Sequence, residues 1–191
     1  MNPEPLLHRN VNAYLVTGPP GSGKSTLLAR FLEQARLSHR CVGFVTYEIR
    51  EAGSRTGFKA VTTDGQERLI AAVDLMIDAA YPPTTPTIGR YRVDVDAISD
   101  LSAWVTRECD NAEVVIVDEI GAMQCLSARF CAAIAELLDS PILFVGSITQ
   151  RPHTFADDIK RRSDVRLMDL TLSTPDQIVG ELLVTPEGRD D

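Results

Sequence analysis

The chain has 191 residues, of which 44% are hydrophobic and 24% charged, and a formal net charge of −8. That length and balance fit one globular α/β domain spanning residues 1–191 and argue against a disordered chain. The acidic surplus argues against a general nucleic-acid or membrane-surface binder, so an anionic ligand would have to be held by a local cationic pocket.

The opening MNPEPLLHRN lacks the basic start and apolar run of a secretion signal, and no segment is long enough to span a bilayer. The expectation is a soluble, cytoplasmic protein. Cys41, Cys109, Cys125 and Cys131 form no CxxC pair and have no histidine at zinc-site spacing, so they read as free thiols.

Residues 11–17, VNAYLVT, predict a buried strand that runs into a GPPG turn. KSTLLARFLEQARL follows, with Leu27, Leu28, Phe31, Leu32 and Ala35 on one helical face. A second strand is expected at 41–49 (CVGFVTYEI), and 57–71 predicts a β-hairpin turning on Asp64-Gly65. Residues 72–88, with Pro82, Pro83 and Pro86, read as a connector.

Beyond it, DVDAISDLSAWVTREC predicts a helix, 113–118 (EVVIVD) a strand and 127–139 (SARFCAAIAELLD) a further helix. The apolar run at 141–148 (PILFVGSI) predicts another strand. A polar helix near FADDIKRR, a strand at VRLMDL and a closing helix from Thr174, with Pro175 at its first position, complete the chain. Strands alternating with helices imply a mainly parallel sheet covered on both faces.

The turn after the first strand, GPPGSGKST, matches G-x-x-x-x-G-K-[ST], with Gly18, Pro19, Pro20, Gly21, Ser22, Gly23, Lys24, Ser25 and Thr26 as the candidate nucleotide-binding run. The glycines let the backbone curl so that successive N–H groups point at phosphate oxygens, at the positive end of the next helix. Lys24 then reaches the β- and γ-phosphates, and the Ser25 hydroxyl is offered to Mg²⁺.

A partner for that loop stands at the end of EVVIVDE. In a parallel sheet the carboxyl ends of the strands share one rim, which brings Asp118 to the phosphate loop as the Mg²⁺-side carboxylate. Magnesium sites need few protein carboxylates, so the neighbouring Glu119 is free to orient or deprotonate an attacking water, with an ion pair to an arginine as the structural alternative. The segment SITQRP carries no N-K-x-D, which removes the main support for a guanine-specific switch protein.

Between these motifs lie TYEIREAGSRTGFKAVTTDG (46–65) and GRYRVDV (89–95), and DEIGAM (118–123) follows them. In this order, from about Tyr14 to Leu170, they resemble the small nucleoside-triphosphatase family that includes the human cancer-related nucleoside triphosphatase and archaeal and bacterial members. The resemblance implies a single-domain P-loop fold of the RecA-like kind, Mg²⁺-dependent hydrolysis of nucleoside triphosphates such as ATP and GTP to diphosphate and phosphate, and loose base preference. Its pattern matches at Gly18, Gly23, Lys24, Ser25, Asp118 and Glu119, and again at Glu48, Arg50, Glu51, Gly53, Arg55, Gly57, Phe58, Gly89, Arg90 and Tyr91.

The chain departs from the family pattern at Ala122 and Gln124, where charged residues are common, at Arg92, and at Thr171–Pro175 (TLSTP).

Because phosphoryl transfer needs positive charge on developing phosphate oxygens, Arg50, Arg55 and Arg90 are candidate phosphate or substrate contacts. Pairing with Glu48, Glu51 or Asp94 is the alternative. Arg151, Arg161 and Arg162 read as a solvated face. Two other functions stay open on sequence: a nucleotide or nucleoside kinase, with residues 55–90 as a lid, and a nucleotide-dependent binding module.

Overall fold

Apolar runs bounded by turn residues become strands that are buried on both sides. β1 (Ala13–Thr17) is buried throughout. Tyr14 and Val16 turn to one face of the sheet, and Ala13 and Leu15 to the other, because successive side chains alternate. The structure, a computed structural model, describes residues 11–73 and 84–184. Pro82 and Pro83, in the expected connector, lie outside the described residues.

The elements follow as α1 (Lys24–Ala35), β2 (Cys41–Glu51), β3 (Ser54–Thr62), β4 (Glu67–Val73), β5 (Thr87–Ile88), β6 (Tyr91–Val93) and α2 (Val95–Glu108). β7 (Val114–Ile120), α3 (Ala128–Asp139), β8 (Leu143–Ile148), α4 (Thr154–Lys160), β9 (Val165–Asp169) and α5 (Pro175–Val184) complete the order. Among the described residues, nine strands form one sheet in the order β5-β6-β4-β3-β2-β7-β8-β1-β9.

Five of them, β2, β7, β8, β1 and β9, run parallel. The others extend the sheet from β2 as an antiparallel meander, of which the expected hairpin at Asp64-Gly65 is one part. β2 is longer than its sequence pattern predicts and closes a second hairpin with β3 through Ala52 and Gly53, both with positive φ. The predicted connector is also shorter, because β4 runs on to Val73 and Thr87–Ile88 pair with β6.

Helices cover both faces. Leu27, Leu28 and Phe31 of α1 pack with Ile178, Val179 and Leu182 of α5 against Tyr14, Val16, Ile116 and Val145. On the opposite face, Ile98 and Leu101 of α2 and Phe130 and Ile134 of α3 meet Leu15, Phe44, Val117 and Phe144.

The helix starts follow capping chemistry. Asp94 accepts from Ala97 N at 2.8 Å, and Ser127 from Phe130 N at 3.0 Å. Thr174 and Gln177 cap α5 reciprocally: Thr174 N donates to Gln177 Oε1 at 2.9 Å, and Gln177 N to Thr174 Oγ1 at 3.3 Å. Pro175 takes the first helical position, as its sequence context predicts.

Candidate active site

The carboxyl rim of the parallel strands carries the chemistry. β1 ends at Thr17, and the loop 18–23 turns the chain into α1. Gly23 precedes the helix in the left-handed conformation, φ 94°, and caps it without a side chain. The first-turn N–H groups of α1 therefore have no side-chain acceptor at the cap, and the first turn holds no acidic residue that would repel an anion.

Lys24 is nearly buried. Its ammonium folds back across the loop and donates to Gly18 O at 3.1 Å and Pro19 O at 3.4 Å. Two hydroxyls of this region, Thr17 Oγ1 and Ser22 Oγ, are buried without a hydrogen-bond partner.

Asp118 and Glu119 lie within β7, which continues two residues beyond the expected end at 118. A register shift between Val117 and Ile120 in the pairing with β8 accompanies them. Asp118 is 1% exposed. Its Oδ2 accepts from Thr46 N at 3.0 Å and its Oδ1 from the Ser147 hydroxyl, and the nearby Ser25 hydroxyl also favours its ionised form. Burial pushes its pKa up, and these three groups and the nearby Lys24 oppose that shift.

Glu119 is only partly buried, and its Oε1 lies 3.9 Å from Lys24 Nζ. Burial also raises its pKa; Lys24 opposes the rise and Asp118 adds to it. One carboxylate is thus fixed by donors, while the other faces the cationic end of the phosphate loop.

The donor set suits magnesium, which takes one or two carboxylates and leaves the remaining positions to water and substrate phosphate. Asp118 and Ser25 are the oxygen donors brought together here. Among the described residues no group of three His, Cys, Asp or Glu converges as a protein-built cage would require.

The motif residues of the middle segment also converge, at the outer end of β2 and β3. Glu48 accepts from Arg50 Nη2 and Arg55 Nη1, each at 2.6 Å. Arg50 also donates to Gly53 O at 3.2 Å, and Arg55 Nε to Tyr91 Oη at 2.9 Å. Arg90 donates to Tyr91 Oη at 3.3 Å and to Arg55 O. The Arg55 guanidinium lies 5.1 Å from the Phe58 ring centroid, and Phe58 meets Tyr91 edge-on.

Asp94, another of the partners considered for these arginines, caps α2. Arg161 and Arg162 are engaged by Asp158, Asp139 and Asp164, and Arg151 is exposed.

Two residues that sequence reasoning missed complete the Asp118 site. Ser147 is fully buried near the end of an apolar strand, a polar exception that could have marked it. Thr46 contributes its backbone N–H, which no residue type reveals.

A glycine loop opening an uncapped helix, opposite a buried strand-end carboxylate in a parallel sheet, defines a P-loop nucleoside-triphosphate-binding domain. The family model described as NTPase matches residues 13–183. The chain belongs to that family.

It is 33% identical over 170 residues to the nucleoside-triphosphatase THEP1 of Thermotoga sp. (strain RQ2), covering 88% of this chain and 92% of that protein. It is 30% identical over 181 residues to the human cancer-related nucleoside-triphosphatase, covering 88% and 93%. The crystal structure of THEP1 from Aquifex aeolicus superposes with a TM-score of 0.77 at 28% identity, over 92% of this chain and 99% of that one. The solution structure of a human cancer-related nucleoside triphosphatase gives 0.77 at 27% identity, over 95% and 100%.

Proposed function

We propose that this chain hydrolyses nucleoside triphosphates to nucleoside diphosphate and phosphate in a Mg²⁺-dependent reaction, slowly and with broad base tolerance. The observation that carries the proposal is the contrast between adjacent carboxylates: Asp118 is buried and held by Thr46 and Ser147, whereas Glu119 is partly open and 3.9 Å from Lys24. The family relatives bear the name nucleoside-triphosphatase.

Residues 18–26 wrap the phosphates with backbone N–H groups, and Lys24 exchanges its carbonyl partners for β- and γ-phosphate oxygens. Asp118 and Ser25 would hold a magnesium ion, which would supply positive charge at the phosphates. Glu119 orients a water, accepts its proton as the oxygen attacks the γ-phosphorus, and leaves the β–γ bridging oxygen to depart with the diphosphate. Its burial-raised pKa makes it a better proton acceptor than an exposed glutamate.

For Arg50, Arg55 and Arg90 the geometry supports fastening the β2–β3 tip: Arg50 and Arg55 bind Glu48, and Arg90 binds Tyr91 Oη and Arg55 O. A cytoplasmic setting belongs to the same proposal and is supported by four cysteines in thiol form. Among the described residues no helix is long and apolar enough to cross a membrane.

The test is phosphate release from ATP, GTP, CTP and UTP with Mg²⁺, the products separated by chromatography, for the wild type, Lys24→Ala and Glu119→Gln. Glu119→Gln is expected to lose about a hundredfold to ten-thousandfold in turnover while still binding nucleotide. Wild-type turnover in Glu119→Gln would refute its role as base.

A further inference from the structure

Cys125 and Cys131 are joined by a turn that is fixed at both ends. Cys125 sits in the short 3-10 turn Gln124–Leu126 after the carboxylate strand, and its N–H donates to Gly121 O at 2.9 Å. Ser127 then caps α3 through Phe130 N, and its carbonyl accepts from Cys131 N at 3.1 Å. Cys131 therefore stands in the first turn of α3, and its thiol points back at Cys125 O, 3.9 Å away.

Both side chains are partly buried against the same apolar cluster. Each thiol also acts on the other's ionisation, which requires the two to be neighbours. Cys41 and Cys109 are arranged differently, with their thiols directed at His39 O at 3.7 Å and Thr106 O at 3.0 Å.

We propose that Cys125 and Cys131 form a dithiol that a disulfide oxidant closes into a reversible bridge, and that the bridge slows the active site by restraining the turn after Glu119. The effect on turnover rests on the hydrolytic reading of Glu119; the bridge itself does not.

The chemistry balances with oxidised glutathione as the oxidant. The Cys131 thiolate attacks one glutathione sulfur, forming a mixed disulfide and expelling a glutathione thiolate, which takes up the proton that Cys131 released. The Cys125 thiolate then attacks the Cys131 sulfur and expels the second glutathione, which takes up the other proton. Two protein thiols are oxidised and one glutathione disulfide is reduced.

Cys131 is the first nucleophile because burial raises its pKa less than that of Cys125, which is pushed up to about 12. The same burial slows oxidation at neutral pH, and the rate rises with pH as thiolate forms. Once closed, the bridge ties Cys125 to α3 and, through Cys125 N, holds Gly121. Glu119 packs on that glycine, its Cγ and Cδ 3.3 Å from where a Cβ would stand, so its freedom to exchange Lys24 for a water is reduced.

The test is incubation of the purified protein with oxidised glutathione at mildly alkaline pH, read by maleimide labelling, intact mass and peptide mapping, with phosphate release from Mg²⁺-ATP measured in parallel. Wild type is expected to lose two of its four thiols and the mass of two hydrogens. Trypsin cleavage at Arg129 separates the two cysteines, so the bridge is expected as a linked peptide pair. Turnover is expected to fall about tenfold to a hundredfold and to return with dithiothreitol. Cys125→Ser is expected to retain one glutathione on Cys131 in place of the bridge, and Cys131→Ser to keep its turnover in oxidant.

The inference is overturned if Cys125 and Cys131 both stay free thiols under oxidant, if they carry separate glutathiones, or if Cys41 or Cys109 takes part in the bridge. A bridged wild type with unchanged turnover overturns the restraint on Glu119. If the reduced protein releases no phosphate, the hydrolytic proposal fails and the turnover effect with it, while the bridge is still decided by mass.

Discussion

Replacing Asp118 by Asn and by Ala should separate two roles of its carboxylate. Thr46 lies past the last β2–β7 ladder pair, Phe44 with Val117, and its N–H is taken by Asp118 Oδ2 at 3.0 Å. An Asn can place its carbonyl oxygen there and its amide toward Ser147, whose hydroxyl turns from donor to acceptor. That variant keeps the hydrogen bonds and removes a fully buried charge, so in the absence of nucleotide and divalent cation it should be at least as stable as the wild type.

Ala also removes the charge but strands the Thr46 N–H. A buried unsatisfied donor costs about 1–3 kcal/mol. The Asn variant should therefore be more stable than the Ala variant by that amount, or about 0.5–1.5 M in urea midpoint at a slope of about 2 kcal/mol/M. The assay is urea unfolding followed by circular dichroism, with and without Mg²⁺ and ADP.

Both variants should also lose the ligand-induced gain, which for the wild type is about 2.7 kcal/mol at about one hundred times Kd. The pH dependence has a definite sign. Since folding raises the Asp118 pKa, the folded state holds that proton more tightly, and wild-type stability relative to Asp118→Asn should fall as pH rises from 3.8. Equal metal-free stabilities of the Asn and Ala variants would refute this account of the Thr46 and Ser147 contacts.

A Cβ at Gly43, where φ is +143°, would stand 1.8 Å from Ile116 O in the neighbouring strand. Gly43→Ala should thus abolish soluble expression or lower the melting temperature by more than about 10 °C, a shift to be read by scanning fluorimetry. Arg55 and Arg50 hold Glu48 below its ordinary pKa of 4.5, so its contribution is present above that pH and lost as pH falls below it. The stability difference between wild type and Glu48→Gln should accordingly shrink on acidification, and a difference that grew would contradict the pairing. In Lys24→Ala the loop loses its cation, and phosphate release should fall at least about a hundredfold, with weakened nucleotide binding in titration calorimetry.

What could be read from the sequence was contiguous chemistry. The loop 18–26 stands out because the phosphate-binding role proposed for it depends on backbone curvature and helix polarity, which GPPGSGKST encodes locally. Asp118 was legible as charge at the end of an apolar strand, and α5 through the Thr174-Pro175 start. The β2–β3 hairpin was not, because it turns on Ala52-Gly53, and an alanine at φ 47° carries no turn signature. Strand order was equally hidden: β8 lies between β7 and β1, so the carboxylates reach the loop across an intervening strand, a relation fixed by packing of distant segments.

The two adjacent carboxylates need each other's difference. If Glu119 were tied as firmly as Asp118, whose oxygens accept from Thr46 N and Ser147, it could not exchange its contact for a water. If Asp118 were as open as Glu119, its ionised form would be hydrated and would lose the low-dielectric setting that strengthens its hold on a cation. The contrast is built into the site, since Asp118 is buried and Glu119 remains partly open at 3.9 Å from Lys24. A phosphate oxygen can widen that separation by drawing the ammonium away. In the proposed reaction, binding substrate would then weaken the restraint on Glu119 at the moment when that proposal has it accept a proton.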